Sequence, residues 1–248
     1  MTTPDPSSFT LEPLFLALGF VAAVAYARAV LGRNVPRWRT MLFTVGLVLA
    51  VGALNSPLET IAVNYLLLVH LLQNVMIADW APPLLLLGLT SEMRAAVARR
   101  GGRVLAALTR PKVALPVWLG GWYGIHLASV YDYALGHAWA LNVEHLLLLG
   151  IGFVFWWPVL AGGIHGLTPG LAVGYLGAAF VLSAFLGLAL TFSTSPFYDH
   201  YAAAPRLWGL SAEEDQNLGG VLMSAEQALV FLAAIGYFVA RLVPQDEV

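Results

Sequence analysis

Seven long apolar segments constrain the fold of this chain more than any other feature of its sequence. They cover residues 12–31, 40–54, 60–87, 113–131, 140–160, 169–192 and 217–240. A helix that crosses a bilayer needs about 20 apolar residues, and only the second segment is clearly shorter. Charged residues make up 10% of the 248 residues, against roughly 25% in soluble domains. The sequence therefore predicts an all-α polytopic membrane protein with seven transmembrane helices.

The third segment is unusually long and contains the run Ala81-Pro82-Pro83. Proline lacks a backbone donor and clashes with the preceding helical turn, so we expect the helix to end or kink there. The stretch Leu84 to Leu89 would then lie along the membrane interface. No internal repeat or low-complexity linker divides the chain, and we expect a single seven-span domain over residues 1–248.

The basic residues predict the orientation of the chain, because cytoplasmic loops are enriched in lysine and arginine. Eleven of the twelve fall on one predicted side, namely Arg28, Arg33, Arg37, Arg39, Arg94, Arg99, Arg100, Arg103, Arg110, Lys112 and Arg241. Only Arg206 falls on the other. This asymmetry predicts an outside N-terminus and an inside C-terminus. The first 31 residues open with acidic and polar side chains, so we expect the first helix to direct insertion without a cleavable signal.

Composition excludes several classes of function. The net charge of −2 provides no broad basic surface for nucleic acid, and the absence of cysteine excludes thiolate ligands and thiol redox chemistry. A retinal protein needs a lysine in the middle of the membrane for its Schiff base, and the sole lysine, Lys112, lies at the inner edge of a segment.

Histidines concentrate at one end of the segments, the predicted outer end. His126, His145 and His200 lie at segment edges or in polar connections, with His137 between them, and His70 lies in a segment that starts on that side. Histidine is rare in lipid-facing sequence, so this placement favours a metal or proton site near one membrane surface.

The helical period groups polar residues with His70 in the third segment. His70, Gln73 and Asn74 stand at positions i, i+3 and i+4 and share a face with Glu59, nearer the outside. Hydrogen bonds between helices are the alternative interpretation of this stripe. Asp79 projects from the opposite face and is expected to make a separate packing or headgroup contact.

The fourth and fifth segments bring two further histidines to one depth. A short connection makes these helices antiparallel neighbours, so His126 and His145 can converge. Gly152 lies on the stripe of His145, where another helix can approach closely. Glu144 projects about 100° away from His145 and is not expected to be its partner in a site. Alternatively, both histidines occupy the interfacial zone without a ligand.

The last segment carries Asp215, Met223 and Glu226 within one face of its helix. Asp215 also suits the capped start of that helix, and the pair Gly219–Gly220 permits close helix approach. Glu226 lies inside the apolar run, where a carboxylate needs a partner, a proton or a cavity. Imidazoles with a thioether and carboxylates suit a transition metal. The predicted metal ligands are thus His70, His126, His145, Asp215, Met223 and Glu226.

Four stretches of the chain, within residues 55–230, together resemble the bacterial cytochrome c oxidase assembly factor family known as CtaG. They are His70-Leu-Leu-Gln73 with Ala81-Pro82-Pro83, His126 through Tyr131-Asp132, Glu144-His145 through Trp156-Trp157-Pro158, and Asp215-Gln216 through Gly219-Gly220 to Met223. The chain departs from the family pattern at Asn74, where a second histidine is frequent, and at Ser224, where tryptophan is expected.

The resemblance implies a multi-pass protein of the bacterial cell membrane that assists maturation of haem–copper cytochrome c oxidase. We expect it to bind or deliver copper at the outer face as a chaperone and not an enzyme, with no catalytic residues. Its partners would be oxidase subunits and the lipid bilayer, not nucleic acid, and a homo-oligomer stays open. Two alternatives remain: a seven-span zinc-dependent membrane hydrolase, with zinc in place of copper, and a haem-binding subunit.

Overall fold

A computed structural model of the protein describes residues 3–243, except the side chain at position 164. The described residues form α-helices and no strand. The helices are α1 Pro13–Val30, α2 Arg37–Leu54, α3 Pro57–Asn64, α4 Leu67–Val75, α5 Ala81–Gly88, α6 Ser91–Leu108, α7 Pro111–Ile125, α8 Ala128–Gly136, α9 Ala138–Leu160, α10 Pro169–Phe192, α11 Asp199–Ala203 and α12 Ala212–Ala240. A π-helical turn, Met76–Trp80, joins α4 to α5, and a 3₁₀ turn, Gly163–His165, precedes α10.

Six stretches are long and apolar enough to cross a membrane, and the bent pair of α7 and α8 is a seventh candidate. The six are Pro13–Val30, Arg37–Leu54, Leu67–Gly88, Ala138–Leu160, Pro169–Phe192 and Ala212–Ala240. Helices α7 and α8 meet at 68°, at a break after Ile125. The prediction of an all-α multi-pass membrane protein is confirmed, whereas the side on which each terminus lies stays a prediction.

The third span breaks at a different point from the one the prolines suggested. The helical run is interrupted at Tyr65 and Leu66, and it continues through Ala81 to Gly88. Pro82 and Pro83 occupy the first turn of α5, where proline is tolerated because its missing N–H needs no intrahelical partner. The π-helical turn before them shifts the hydrogen-bond register, as such turns often do at functional sites.

One other expectation for this region was wrong. Leu84 to Leu89 does not form a separate interfacial stretch, because α5 packs against α2 with Leu85 and Leu86 buried. The basic connection after it contains a helix, α6, whose N-cap Thr90 accepts a hydrogen bond from the Met93 backbone N–H at 3.3 Å. Met93 is the buried residue of α6, which otherwise exposes most of its arginines.

Helices approach each other closely at two glycines where the sequence predicted such contacts. A β-carbon at Gly152 would overlap the carbonyl oxygen of Ala78 in the π-helical turn. One at Gly220 would overlap the backbone of Thr191 on α10. Glycine therefore lets α9 approach the third span, and it lets α12 approach α10, as in many membrane helix pairs.

Aromatic side chains fill the centre of the bundle. Trp118 of α7 stacks on Phe155 of α9 with ring centroids 4.5 Å apart, and Phe231 of α12 packs edge-on against both. Trp122 continues this cluster one helical turn further, to His126. The aromatic cluster therefore fixes α7, α9 and α12 directly beneath the histidines.

Candidate functional site

Three histidines and one glutamate are buried together at one end of the bundle. His70 lies in the first turn of α4, His126 directly follows α7, and Glu144 and His145 lie in the second turn of α9. All four are at most 5% exposed. Helix α7 begins next to Lys112, at the arginine-rich end of the bundle, and ends just before His126. This group therefore lies at the opposite end from most of the arginines. We call His70, His126, Glu144 and His145 the histidine cluster.

The hydrogen bonds of His70 settle which of its ring nitrogens carries the proton. The Tyr201 hydroxyl donates to the carbonyl oxygen of Ala62 at 2.6 Å, and the Nδ1 of His70 lies 2.7 Å from the same hydroxyl. Burial raises the pKa of the Tyr201 phenol well above its ordinary value, so the hydroxyl keeps its single proton. Because the hydroxyl donates that proton to the carbonyl oxygen of Ala62, it can only accept a hydrogen bond from His70. His70 must therefore donate through Nδ1–H. A neutral His70 presents a lone pair at Nε2.

His126 has the same tautomer for a similar reason. Its Nδ1 lies 2.7 Å from the carbonyl oxygen of Trp122, which can only accept a hydrogen bond. The Nδ1 is therefore protonated, and Nε2 carries the lone pair. Histidines that bind metals in proteins usually donate their other ring N–H to an acceptor of this kind, which orients the ring.

Four buried atoms of the histidine cluster lack hydrogen-bond partners among the described residues. These buried atoms are the Nε2 of His70, His126 and His145, and the Oε2 of Glu144. A buried polar atom without a partner costs free energy, about 1–3 kcal/mol each. Four such atoms in one group make the histidine cluster the candidate site of this protein.

Glu144 faces His70 without a satisfactory hydrogen bond. Its Oε1 lies 3.5 Å from the Nε2 of His70, and the amide of Asn74 approaches it at the same distance. A carboxylate oxygen and an imidazole lone pair repel each other unless a proton or a metal ion lies between them. Asn74, which replaces the second histidine of the family pattern, contributes only a long donor contact to this group.

The rings show which histidines are adjacent. The ring centroids of His70 and His145 are 6.0 Å apart, and the Tyr131 ring contacts both His70 and His126, at centroid distances of 4.9 Å and 5.5 Å respectively. In the part of the chain that the structure describes, no three His, Asp or Glu side chains stand in position to hold a metal ion. The donor types and tautomers of the histidine cluster thus fit a metal, but binding requires the side chains to turn inward.

Asp215 and Met223, two further predicted ligands, contact other parts of the protein, and their role as ligands stays a prediction. The two carboxylate oxygens of Asp215 accept the backbone N–H groups of Leu67 and Leu68 at 2.8 and 2.9 Å. Asp215 therefore caps α4 from another helix, while Ser211 and Glu214 form the capping box of its own helix. Met223 is fully buried in the apolar core.

Glu226 lies in a second polar group away from the histidines. One oxygen accepts a hydrogen bond from the Trp80 indole N–H, and its carboxyl interacts with that of Asp79. Both oxygens of Asp79 and the Oε2 of Glu226 are buried without a partner among residues 3–243. The sequence expectation assigned Asp79 to a separate contact and missed this carboxyl pair, because the π-helical turn rotates Asp79 toward α12.

Sequence reasoning missed four residues of the site: Glu144, Tyr131, Tyr201 and Asp132. Glu144 could have been found by the criterion that identified Glu226, since both are carboxylates inside an apolar helix. Asp132 accepts the backbone N–H groups of Asp199 and His200 at 3.2 and 3.1 Å, and so caps the short helix that carries Tyr201. No pattern in the sequence indicates that contact. Gln73, which the sequence places on the same face as Glu59, donates a hydrogen bond to the Glu59 carboxylate.

Comparison with protein families supports the resemblance stated from the sequence. The family model described as cytochrome c oxidase caa3 assembly factor matches residues 18–245. The match covers nearly the whole chain, and the chain belongs to this family. Comparison with curated proteins and with solved structures found no match.

Proposed function

We propose that this member of the cytochrome c oxidase caa3 assembly factors binds copper in the histidine cluster and supplies it to the oxidase during assembly. One observation carries the proposal: three buried imidazoles present Nε2 atoms without partners, and outer acceptors hold two of them in the tautomer of a metal ligand. Imidazole is a good ligand for copper and zinc, and the family function favours copper.

The proposed ligands are His70, Glu144 and His145, which already lie together, with His126, whose ring contacts Tyr131 as that of His70 does, as the fourth. Glu144 supplies a negative charge that offsets the charge of the ion in a buried site. Asp215 acts indirectly, because its cap holds the first turn of α4 and so positions His70. Copper is the cargo in this scheme, and no covalent bond is made or broken. The protein is thus proposed to be a chaperone and not an enzyme.

The distribution of basic residues supports an outer position for the histidine cluster. The cluster lies at the end of the bundle away from all the basic residues except Arg206, and the positive-inside rule then favours the outer face. A reporter fused after Val248 should therefore be active only in the cytoplasm. Activity of that fusion on the outer side would place the histidine cluster at the inner face and remove the proposed delivery route.

Metal analysis tests the proposal directly. Protein purified without a histidine tag and loaded with Cu(I) or Cu(II) should retain about one equivalent, and His145→Ala or His126→Ala should retain much less. His137→Ala is the matched control, because His137 is exposed at the same end and donates only to the Tyr133 carbonyl. Equal copper retention by all these variants would end the proposal.

The same preparation separates the alternatives. A Soret band in the absorption spectrum would favour the haem-binding subunit. Preference for zinc over copper, together with hydrolysis of a lipid amide, would favour the hydrolase, which has no support in the family match. In cells, loss of oxidase activity in His145→Ala but not in His137→Ala would connect the metal site to oxidase maturation.

A further inference from the structure

A basic cavity opens at the arginine-rich end of the bundle, between α1, α2 and α6. Its volume is about 690 Å³. Four arginines line it: Arg28 on α1, Arg33 just after α1, and Arg99 and Arg100 on α6. Glu92 is the single acid in the lining. None of the four arginines forms an ion pair within the described part of the chain, so the cavity carries a net excess of positive charge.

An apolar groove of about 520 Å³ continues from this cavity into the bundle. Apolar residues and glycines line it throughout, from Phe15 on α1 to Leu47 on α2 and Phe153 on α9. The groove and the cavity have four lining residues in common: Ala22, Phe43, Leu89 and Val97. They therefore form one continuous recess, apolar inside and basic at its mouth.

The recess depends on the way α1 is attached. Helix α1 is the least buried of the candidate spans, with 11% of its residues inside the protein. Tyr26 holds its basic end in place, because its ring stacks on Phe43 at 3.8 Å and its hydroxyl donates to the Gly88 carbonyl at 3.1 Å. The helix thus stays fixed at that end while leaving a groove beside α9.

We infer that the recess binds one anionic phospholipid, with an acyl chain in the groove and the headgroup phosphate among the four arginines. A guanidinium fork matches the geometry of phosphate oxygens. Basic pockets between membrane helices on the cytoplasmic side are known to hold anionic headgroups. The apolar groove explains why the ligand is a lipid, since a free phosphate would leave it empty. This inference is independent of copper binding.

Native mass spectrometry of the full-length protein in detergent tests the headgroup. Phosphatidylglycerol should be retained about tenfold or more better than phosphatidylcholine with the same acyl chains. The double variant Arg99→Gln/Arg100→Gln should lose that preference by at least about tenfold, because each arginine near an anionic lipid contributes roughly fivefold. The control is Arg103→Gln/Arg110→Gln, which removes the same charge from exposed positions outside the cavity lining.

A second pair of variants tests the groove. Ala22→Trp fills the junction of the cavity and the groove and should displace phosphatidylglycerol, while Ala23→Trp, at an exposed neighbouring position, should not. Equal retention of the two lipids, or equal losses in the test and control variants, would overturn the inference. Full displacement of the lipid by inorganic phosphate at millimolar concentration would also overturn it, since that result assigns the site to a free anion.

Discussion

The histidine cluster and the Asp79–Glu226 carboxyl pair are two buried polar groups that each have one member on the span Leu67–Gly88, namely His70 and Asp79. His70 and Asp79 are nine residues apart in sequence, or roughly 14 Å along a helix. Both groups contain carboxyls and both leave buried oxygens without partners. They differ in what surrounds the carboxyls: imidazoles in the first group, and the Trp80 indole with the side chain of Gln227 in the second.

This difference determines what each group needs from outside the chain. A carboxyl pair without nearby cations becomes neutral by taking up protons and needs no other ligand. In the histidine cluster, two rings donate their N–H groups to acceptors outside the cluster, so their other ring nitrogens present lone pairs. An imidazole lone pair beside a carboxylate, as at His70 and Glu144, favours a cation between them. A polar group inside a membrane protein is thus a metal candidate because of its tautomers, and not because of its burial alone.

Matched glutamate substitutions give the largest expected contrast between the two groups. Glu144→Gln keeps the shape of the side chain but removes its charge, and we expect copper affinity to fall about 100-fold or more. Glu226→Gln makes the same change in the carboxyl pair and serves as the control. Competition for copper with a chelator of known affinity measures both, and equal losses would mean that the two groups act as one site.

Asp215→Asn tests whether α4 needs its cap from another helix. Loss of the charge weakens two buried hydrogen bonds to Leu67 and Leu68, so we expect a loss of about 1–2 kcal/mol in stability. Thermal unfolding in detergent measures the change. Glu213→Gln, an exposed acid in the same turn of α12, should leave stability within about 0.5 kcal/mol of the original value. A stability loss in Glu213→Gln as large as that in Asp215→Asn would refute the cap.

Tyr201→Phe removes the acceptor that orients His70 without touching the proposed metal. Hydrogen-bond partners of metal ligands contribute about 10–100-fold to metal affinity, and we expect Tyr201→Phe to lower copper affinity about tenfold. Tyr133→Phe, an exposed tyrosine on α8, is the control and should bind copper normally. Unchanged affinity in Tyr201→Phe would show that His70 needs no outer partner to bind.

Glu226→Leu should have the smallest effect of the four. Removing a buried carboxyl also removes the cost of burying it, so stability should change by less than about 1 kcal/mol, with copper retention unchanged. Expression level and metal content measure the outcome. Loss of copper in Glu226→Leu would show that the two groups act together. Glu226 would then be one of the metal ligands, as the sequence predicted.

The apolar segments and the glycines allowed much of the fold to be predicted, because both act through local rules. Span length follows from bilayer thickness, and Gly152 and Gly220 mark close contacts since a side chain there would overlap a neighbour. The breaks at Tyr65–Leu66 and after Ile125 were not predicted. Neither contains a proline, and each depends on contacts with residues distant in sequence.

The sequence by itself determined the membrane location of this protein, its family and the end of the bundle where its histidines lie. These properties depend on composition and on order along the chain, which folding does not change. Only the tertiary structure decided that Glu144 faces His70, that Asp215 caps α4 and that Tyr131 contacts both His70 and His126. The helical period gives the face of a residue on its own helix. It cannot give the rotation of that helix against its neighbours, which packing across the whole bundle sets.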